Sequence, residues 1–184
     1  MATAIERMST KNAESRPRDS SMTLPKLRYA TPEDMDQVFR WRNDPWLISE
    51  SPGLSTVDWE EHVSWFSEVL DTESHQLFII ESEDGTGMGS VRLDKAGKDR
   101  AIITIYLLQP YVGKGCGSIA IKEACNTGFG LWPWMESVHA YVRKDNKPSI
   151  MAFSKAGFKV FPRKDDAIFI LKELVLRKPK LLHE

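Results

Sequence analysis

The sequence predicts a mixed α/β domain on a mostly antiparallel central sheet of six to seven strands, with about four helices. Three observations predict it. Apolar runs of strand length alternate with amphipathic helical stripes along most of the 184 residues. Three consecutive runs, 77–80, 89–94 and 101–108, are separated only by turn signals, which makes an antiparallel meander. A glycine-punctuated loop, Gly113-Lys-Gly-Cys-Gly117, then opens a helix that leads to a further strand, a strand–helix–strand crossover.

Taken in order, residues 1–24 are polar and lack an apolar signal core, and they read as a disordered tail. Lys26 to Ala30 form a short strand. Thr31-Pro32-Glu33-Asp34 starts a helix with a capping threonine, proline in the first turn and an acidic residue three on. Met35, Val38, Phe39 and Arg42 share one face of it, and Asn43-Asp44-Pro45 stops it. Residues 49–56 read as a loop around Pro52-Gly53. Asp58 with Glu61 caps a second helix whose apolar stripe is Trp59, Val63, Phe66 and Leu70, with His62 and Trp65 at the margins and Trp59 the expected core tryptophan.

Glu83-Asp84-Gly85 turns the first hairpin. In 89–94, Val91 and Leu93 alternate with Ser90, Arg92 and Asp94, as a half-buried strand requires. The run 101–108 is apolar on both faces and so lies centrally. The helix from 115 to 129 carries a stripe of Gly117, Ala120, Ile121, Ala124 and Gly128, suited to close packing on a sheet. Val138, Ala140 and Val142 share a face of the next strand. Asn146-Lys-Pro148 opens a helix with Ile150 and Phe153 inward, Ala156-Gly157-Phe158 ends it, and a hairpin around 163–166 closes a single domain at 25–176. Residues 177–184 read as a C-terminal tail.

Composition narrows the function. The net charge is −1 with no large basic block, which argues against nucleic acid or an anionic membrane as partner. No apolar run approaches membrane-spanning length. The two cysteines, Cys116 and Cys125, make neither a disulfide framework nor a metal pattern, and they point to a reducing, cytoplasmic compartment with no metal cofactor.

The glycine loop is the strongest chemical signal. A loop that opens a helix aims several backbone N–H groups at one point, and the helix dipole adds positive character. That arrangement suits a phosphate. The spacing lacks the Gly-Lys-Ser/Thr ending of a P-loop and the third glycine of a dinucleotide fingerprint. A tight turn that serves only helix–sheet packing is the competing reading.

Pro110-Tyr-Val-Gly113-Lys-Gly115-Cys-Gly117 resembles the acyl-CoA motif of the GNAT superfamily of N-acetyltransferases, whose pattern is Arg/Gln-x-x-Gly-x-Gly/Ala. Asn146, Ser149 and Ala156-Gly157-Phe158 match it downstream, and the element order matches over 26–174. The resemblance implies the GNAT fold, splayed after the fourth strand, with acetyl-CoA as cosubstrate. It implies that Gly113, Lys114, Gly115, Cys116, Gly117 and Ser118 hold the pyrophosphate. Leu107, Leu108 and Gln109 would pair with the pantetheine as an added strand, and Asn146 and Ser149 would contact its arm. Two positions depart from the family pattern. Val112 stands where an Arg or Gln is usual. Phe153 stands where many members have the Tyr that reprotonates the leaving thiolate, so water, Ser149 or unassisted departure is left for that step.

Further upstream, Trp41-Arg42-Asn43-Asp44-Pro45, Trp59-Glu-Glu-His62-Val-Ser-Trp65-Phe66 and Gly89-Ser-Val-Arg92-Leu-Asp94 resemble bacterial amino-sugar nucleotide N-acetyltransferases of the pseudaminic-acid type. The ribosomal-protein N-terminal acetyltransferases share a weaker version. The implied acceptor site comprises Trp41, Arg42, Asn43, His62, Trp65 and Arg92, with Arg42 facing a nucleotide phosphate. Each has a structural alternative: Arg42 as a helix C-terminal cation, Asn43 as an Asx turn, His62 as a buried structural histidine, Arg92 as a solvent-facing strand residue. Trp46 is a further ring on which a sugar or base can stack. The central strand offers no carboxylate base, so Tyr106 and His62 are the catalytic candidates. Cys116 is expected as a small side chain, not an acyl carrier.

The expected reaction is direct transfer from acetyl-CoA to a primary amine, with a nucleotide-linked deoxy amino sugar as acceptor. The rivals are a protein N-terminal acetyltransferase and a non-catalytic acetyl-CoA-binding module. A homodimer is left open.

Overall fold

A computed structural model describes residues 24–50, 55–162 and 171–179. The expected N-terminal tail up to residue 23, the Pro52-Gly53 turn, the closing turn at 163–166 and the end of the C-terminal tail lie outside the described residues.

Seven strands form one sheet: β1 (Lys26–Tyr29), β2 (His75–Glu81), β3 (Gly87–Lys95), β4 (Arg100–Leu107), β5 (Ser137–Arg143), β6 (Lys159–Phe161) and β7 (Leu171–Arg177). Their spatial order is β1-β2-β3-β4-β5-β7-β6. Every neighbouring pair is antiparallel except β4 with β5. That parallel pair is joined only from Arg100↔Ser137 to Ile102↔His139. Beyond it, β4 runs on to Leu107 and β5 to Arg143 without pairing to each other. The sheet is splayed at this point, as the family resemblance implies.

Strand alternation sorts side chains to two faces. Phe78, Ile80, Val91, Leu93, Ala101 and Ile103 meet α4 (Cys116–Leu131) in the larger core. Ala120, Ile121, Ala124 and Gly128 of the small-residue stripe are buried there. On the opposite face, Leu77 and Ile79 meet α1 (Met35–Arg42) and α3 (Trp59–Asp71) in a second core with Val38, Trp41, Phe66 and Val69. The same face carries Ser90, Arg92, Thr104 and Tyr106, which line a cavity instead of filling a core.

Both helices on that face are rotated from the sequence reading. In α3 the buried positions are His62, Phe66 and Val69, whereas Trp59 is 39% exposed. The buried tryptophan is Trp41, packed with Val38. The apolar stripe in the sequence did not reveal this, because the residue that decides the rotation is polar. His62 is buried with its ring nitrogen bonded and its faces covered by aromatic rings. Polar burial of that kind is tolerated but leaves no hydrophobic signature.

A helix was missed as well. Residues Pro45–Glu50 form α2, directly after the α1 stop. Asp44 Oδ1 accepts from the N–H groups of Trp46 (2.9 Å) and Leu47 (3.2 Å). Asp44-Pro45 is therefore both the end of one helix and the cap and first residue of the next.

The entry to α1 is as the sequence indicates. Thr31 N–H and hydroxyl donate to Asp34, within a one-turn 3₁₀ helix at Pro32–Asp34. Arg28 of β1 also donates two bonds to Asp34 (2.6 and 2.7 Å) and one to Glu81 of β2 (2.6 Å). Burial alone would push the Asp34 carboxyl up, but Arg28 and Thr31 together hold it below the usual carboxylate range. This network ties the first helix to the edge of the sheet.

Candidate active site

Two cavities lie on either side of β4, and Tyr106 lines both. No other residue is common to the two walls among the described residues.

The first cavity, about 470 Å³, opens at the splay. Ile105 and Leu107 of β4, Gly113, Gly115, Gly117 and Ser118 of the glycine loop and α4, and Asn146 and Ser149 of α5 (Lys147–Lys155) contribute to its wall. Gly113 and Gly115 have φ of 78° and 87°, and a Cβ at either would meet nothing within 4 Å. The loop thus presents a bare backbone concavity in front of the α4 N-terminus, with Gly115 as its N-cap. The first N–H groups of a helix have no partner within the helix itself. A pyrophosphate fits this chemistry, and a pantetheine arm fits the splay, where β4 has lost its neighbour on one side. The residues present suit acetyl-CoA on these grounds.

Not all predicted donor residues face this cavity. Leu108 turns its side chain to the second core and donates its N–H to the Met88 carbonyl (2.9 Å). Gln109 is exposed and starts a 3₁₀ turn. Leu107 therefore remains as the cavity-lining member of the predicted pairing trio. Lys114 is exposed outside the wall, and Cys116 is buried in the core. Burial pushes the Cys116 thiol up, so it stays protonated. Asn146 Oδ1 accepts from Ser149 N–H (3.0 Å), capping α5, so its amide N–H groups are the donors it can offer a ligand. Phe153 is buried edge-on to Phe158, with ring centroids 5.0 Å apart. Trp46, expected as a stacking ring for the acceptor, lies in this wall instead, and Leu47 and Glu50 of α2 and Lys147, Met151 and Lys155 of α5 join it without having been expected there. For α2 the Asp-Pro cap was the available signal.

The second cavity, about 330 Å³, lies between α1, α3 and the sheet. Of the acceptor and catalytic candidates, Arg42, His62, Trp65, Arg92 and Tyr106 line it, joined by Glu61, Ser90 and Thr104. Ser90 and Thr104 could have been found from strand alternation, since they flank Arg92 and Tyr106 on the same face. Glu61 was noticed only as a capping residue.

The arginines are fixed by different means. Arg92 lies over the Trp65 ring, 5.3 Å from its centroid. It also pairs with Asp94 (2.8 Å), which takes a second bond from His75 (2.7 Å). Arg42 donates to the Ser55 carbonyl (3.0 Å). Two predicted acceptor residues have other work. Trp41 is part of the core. Asn43 makes two bonds with the backbone of Val57 (3.1 and 2.9 Å), which hold that cavity-lining residue in place.

His62 is 2% exposed and bonds the Met35 carbonyl through Nε2 (3.0 Å). A carbonyl only accepts, so Nε2 carries the proton and the lone pair is on Nδ1. Rings of Phe39, Trp59, Trp65 and Phe66 surround the imidazole. Burial lowers its pKa, against the opposing pull of the Met35 bond, and His62 is neutral at pH 7.

Tyr106 stands opposite Ser90 in the β3–β4 register, and both line this cavity. Burial raises the phenol, with Ser90, Arg42 and Arg92 acting the other way. The backbone beside it is tightly built. Gly89 has φ 150°, and a Cβ there would come within 2.2 Å of the Tyr106 carbonyl oxygen.

A fold with this splay, a bare-backbone loop at a helix N-terminus and a second cavity across the same strand defines an acyl-CoA-dependent transferase. The comparisons agree. Residues 26–159 match the family profile described as the acetyltransferase (GNAT) domain, and the chain belongs to the GNAT acetyltransferases, enzymes that draw their acyl group from acetyl-CoA.

Among relatives, YwnH of Bacillus subtilis, provisionally named a phosphinothricin acetyltransferase, is 32% identical over 72% of this chain and 82% of its own length. The acetyltransferase PseH of Campylobacter jejuni is 22% identical over 73% of this chain and 82% of its own. Its crystal structure with acetyl coenzyme A superposes with a TM-score of 0.60 over 85% of this chain and 100% of that one. The Vibrio cholerae spermidine N-acetyltransferase, solved with CoA and spermine, gives 0.70 at 16% identity over 83% and 95%.

Proposed function

We propose that this enzyme transfers acetyl from acetyl-CoA directly to the primary amine of a nucleotide-linked deoxy amino sugar, in the cytoplasm. The observation that carries the reading is the meeting of a donor cavity and an acceptor cavity at Tyr106. Direct transfer needs the amine and the thioester side by side, and an acceptor reaching Tyr106 from the second cavity meets a thioester reaching it from the first.

The acceptor wall supports the substrate class. Arg42 and Arg92 give it positive character that suits a phosphate, and Trp65 adds an aromatic ring to the wall. The resemblance of the Trp41–Pro45, Trp59–Phe66 and Gly89–Asp94 segments to amino-sugar nucleotide acetyltransferases points the same way. An amine enters as ammonium and has no lone pair until it loses a proton. Neutral His62, in the same wall, is the base for that loss. Backbone N–H groups at the end of β4 polarise the thioester oxygen, and acetyl-CoA supplies the activated acyl carbon. Buried, protonated Cys116 leaves no acyl-enzyme route through the loop.

The test is thiol release from acetyl-CoA with a panel of amines: a UDP-linked 4-amino-4,6-dideoxy sugar, the same sugar without nucleotide, spermidine, and a Ser-Ala-initiated peptide. The nucleotide sugar is expected to give the highest kcat/KM. Faster turnover of the free sugar, the polyamine or the peptide overturns the substrate class. Turnover of none, with tight acetyl-CoA binding, overturns the catalytic reading in favour of a binding module.

A further inference from the structure

Every acetyl transfer to nitrogen moves a proton from the attacking amine and must return one to the departing sulfur. Among the described residues, the usual donor for the second event is missing. The position that resembles the family's proton-donating tyrosine is Phe153, which is buried against Phe158 and has no hydroxyl. The Cys116 side chain points into the core. Ser149 lies in the donor wall, but its neutral hydroxyl is a weak acid. The other charged groups of the donor wall, Glu50, Lys147 and Lys155, come from α2 and α5, away from β4 and the junction of the cavities.

Tyr106 is placed differently. Among the described residues it alone belongs to both walls, which makes it the residue shared by a cavity for an amine and a cavity for a thioester. Ser90, its cross-strand partner, is 4% exposed and lines the acceptor cavity. Directly across the strand pair and in the same wall, Ser90 is the polar side chain nearest in register to Tyr106. Arg42 and Arg92 face it from α1 and β3, with Glu61 and neutral His62 on α3.

Resting on the acetyl-transfer reading above, we infer that Tyr106 is the proton carrier of the reaction and that Ser90 is its positioning residue. The balance is closed. The amine nitrogen bonds the acyl carbon as the carbon–sulfur bond breaks, and the sulfur leaves with that bond's electron pair. The Tyr106 hydroxyl gives its proton to the sulfur, forming the CoA thiol. The proton that the nitrogen sheds goes to the Tyr106 oxygen, restoring the phenol. No further acid is consumed, and the transient negative charge on oxygen sits opposite the two arginines. The raised pKa of the resting phenol agrees with this role. It keeps the proton in place until sulfur develops charge, and it makes Tyr106 unsuitable as the base that first deprotonates an ammonium.

The experiment compares CoA with desulfo-CoA by calorimetry on wild type, Tyr106→Phe and Ser90→Ala, alongside kcat for the best amine of the panel above. Wild type is expected to bind CoA more tightly than desulfo-CoA, and Tyr106→Phe to abolish that preference. Its kcat should fall about 100-fold, the scale of a lost general acid, with KM for the amine little changed. Ser90→Ala should keep part of the preference and lose about five- to tenfold in kcat, as for one neutral hydrogen bond. Tyr106→Phe that retains the sulfur preference, or turns over like wild type, overturns the proposal. The calorimetric arm reads the Tyr106–sulfur contact whether or not any amine is acetylated. Failure of the amine panel alone therefore counts against the substrate reading, and a persistent sulfur preference counts against the relay. Thermal melts check that both variants are folded, and Ser90→Ala stands if Tyr106→Phe is not.

Discussion

The two cavities proposed for donor and acceptor share Tyr106 and differ in what they are made of. The donor side is largely backbone: two glycines at positive φ, a helix N-terminus and the unpaired end of a strand. The acceptor side is made of side chains that α1, α3, β3 and β4 bring together. A backbone site recognises what is common to every reaction of the enzyme, and its geometry is stiff once the fold forms. A side-chain site carries the specificity, and each of its members needs a brace: Asp94 and Trp65 for Arg92, Ser55 for Arg42, Met35 for His62.

The largest expected effect separates the two sides outright. Gly115→Val puts a branched side chain at φ 87° and into the open space before α4. Backbone strain of about 1–3 kcal/mol adds to the filling of the cradle. Acetyl-CoA affinity by calorimetry should fall about 100-fold or more. Unchanged affinity would mean that the loop is only a packing turn, and the contrast between the two cavities would collapse.

Next in size is Arg92→Met, which keeps the apolar stem over Trp65 and removes the charge. A hydrogen bond to a charged group contributes about 1.5–3 kcal/mol, so KM for an anionic acceptor should rise roughly 10- to 100-fold while the acetyl-CoA Kd holds. Asp94→Asn should do less, because it acts through the aim of Arg92. Its effect should vanish in the Arg92→Met background, and a double-mutant cycle measures that. If acetyl-CoA affinity falls with either change, the cavities are coupled and are not separate donor and acceptor sites.

The same contrast explains what was legible in the sequence. Glycine spacing writes a backbone shape directly into the chain, so the loop could be read; Asn146-Lys-Pro148 marked the start of α5, and the splay was implied only by the family resemblance. The meander followed from turn residues, and the buried face of α4 followed from Ala120, Ala124 and Gly128. The acceptor side depends on helix rotation, and there the pattern misled. Trp59 looked like core and is exposed, while His62 looked marginal and is buried. Trp41 and Asn43 sit in the motif expected to form the acceptor site, yet their side chains go to the core and to the Val57 backbone. No one-dimensional period records which of two adjacent residues faces a cavity. The α2 helix was hidden for another reason: Asp44-Pro45 serves as a stop and a start at once.

The smallest expected effect concerns the brace of His62 and is read in stability. Burial lowers the His62 pKa in the folded chain; unfolded, the imidazole titrates near 6.5. Between those two values the unfolded chain binds the proton and the folded chain does not, so stability rises with pH in that window. It is fully present above about 6.5 and is lost as pH falls from there toward the folded pKa, with a slope no steeper than about 1.4 kcal/mol per pH unit for one proton. Asp34 is also depressed, but it contributes only below about pH 4, so the two groups do not overlap. His62→Gln keeps an N–H for the Met35 carbonyl and cannot titrate. Chemical denaturation from pH 7.5 to 5 should show wild type losing more stability than the variant as pH falls. Equal profiles would show that the imidazole protonates freely in the folded state. His62 would then be in contact with water, and the dry aromatic wall assigned to the acceptor cavity would be lost with it.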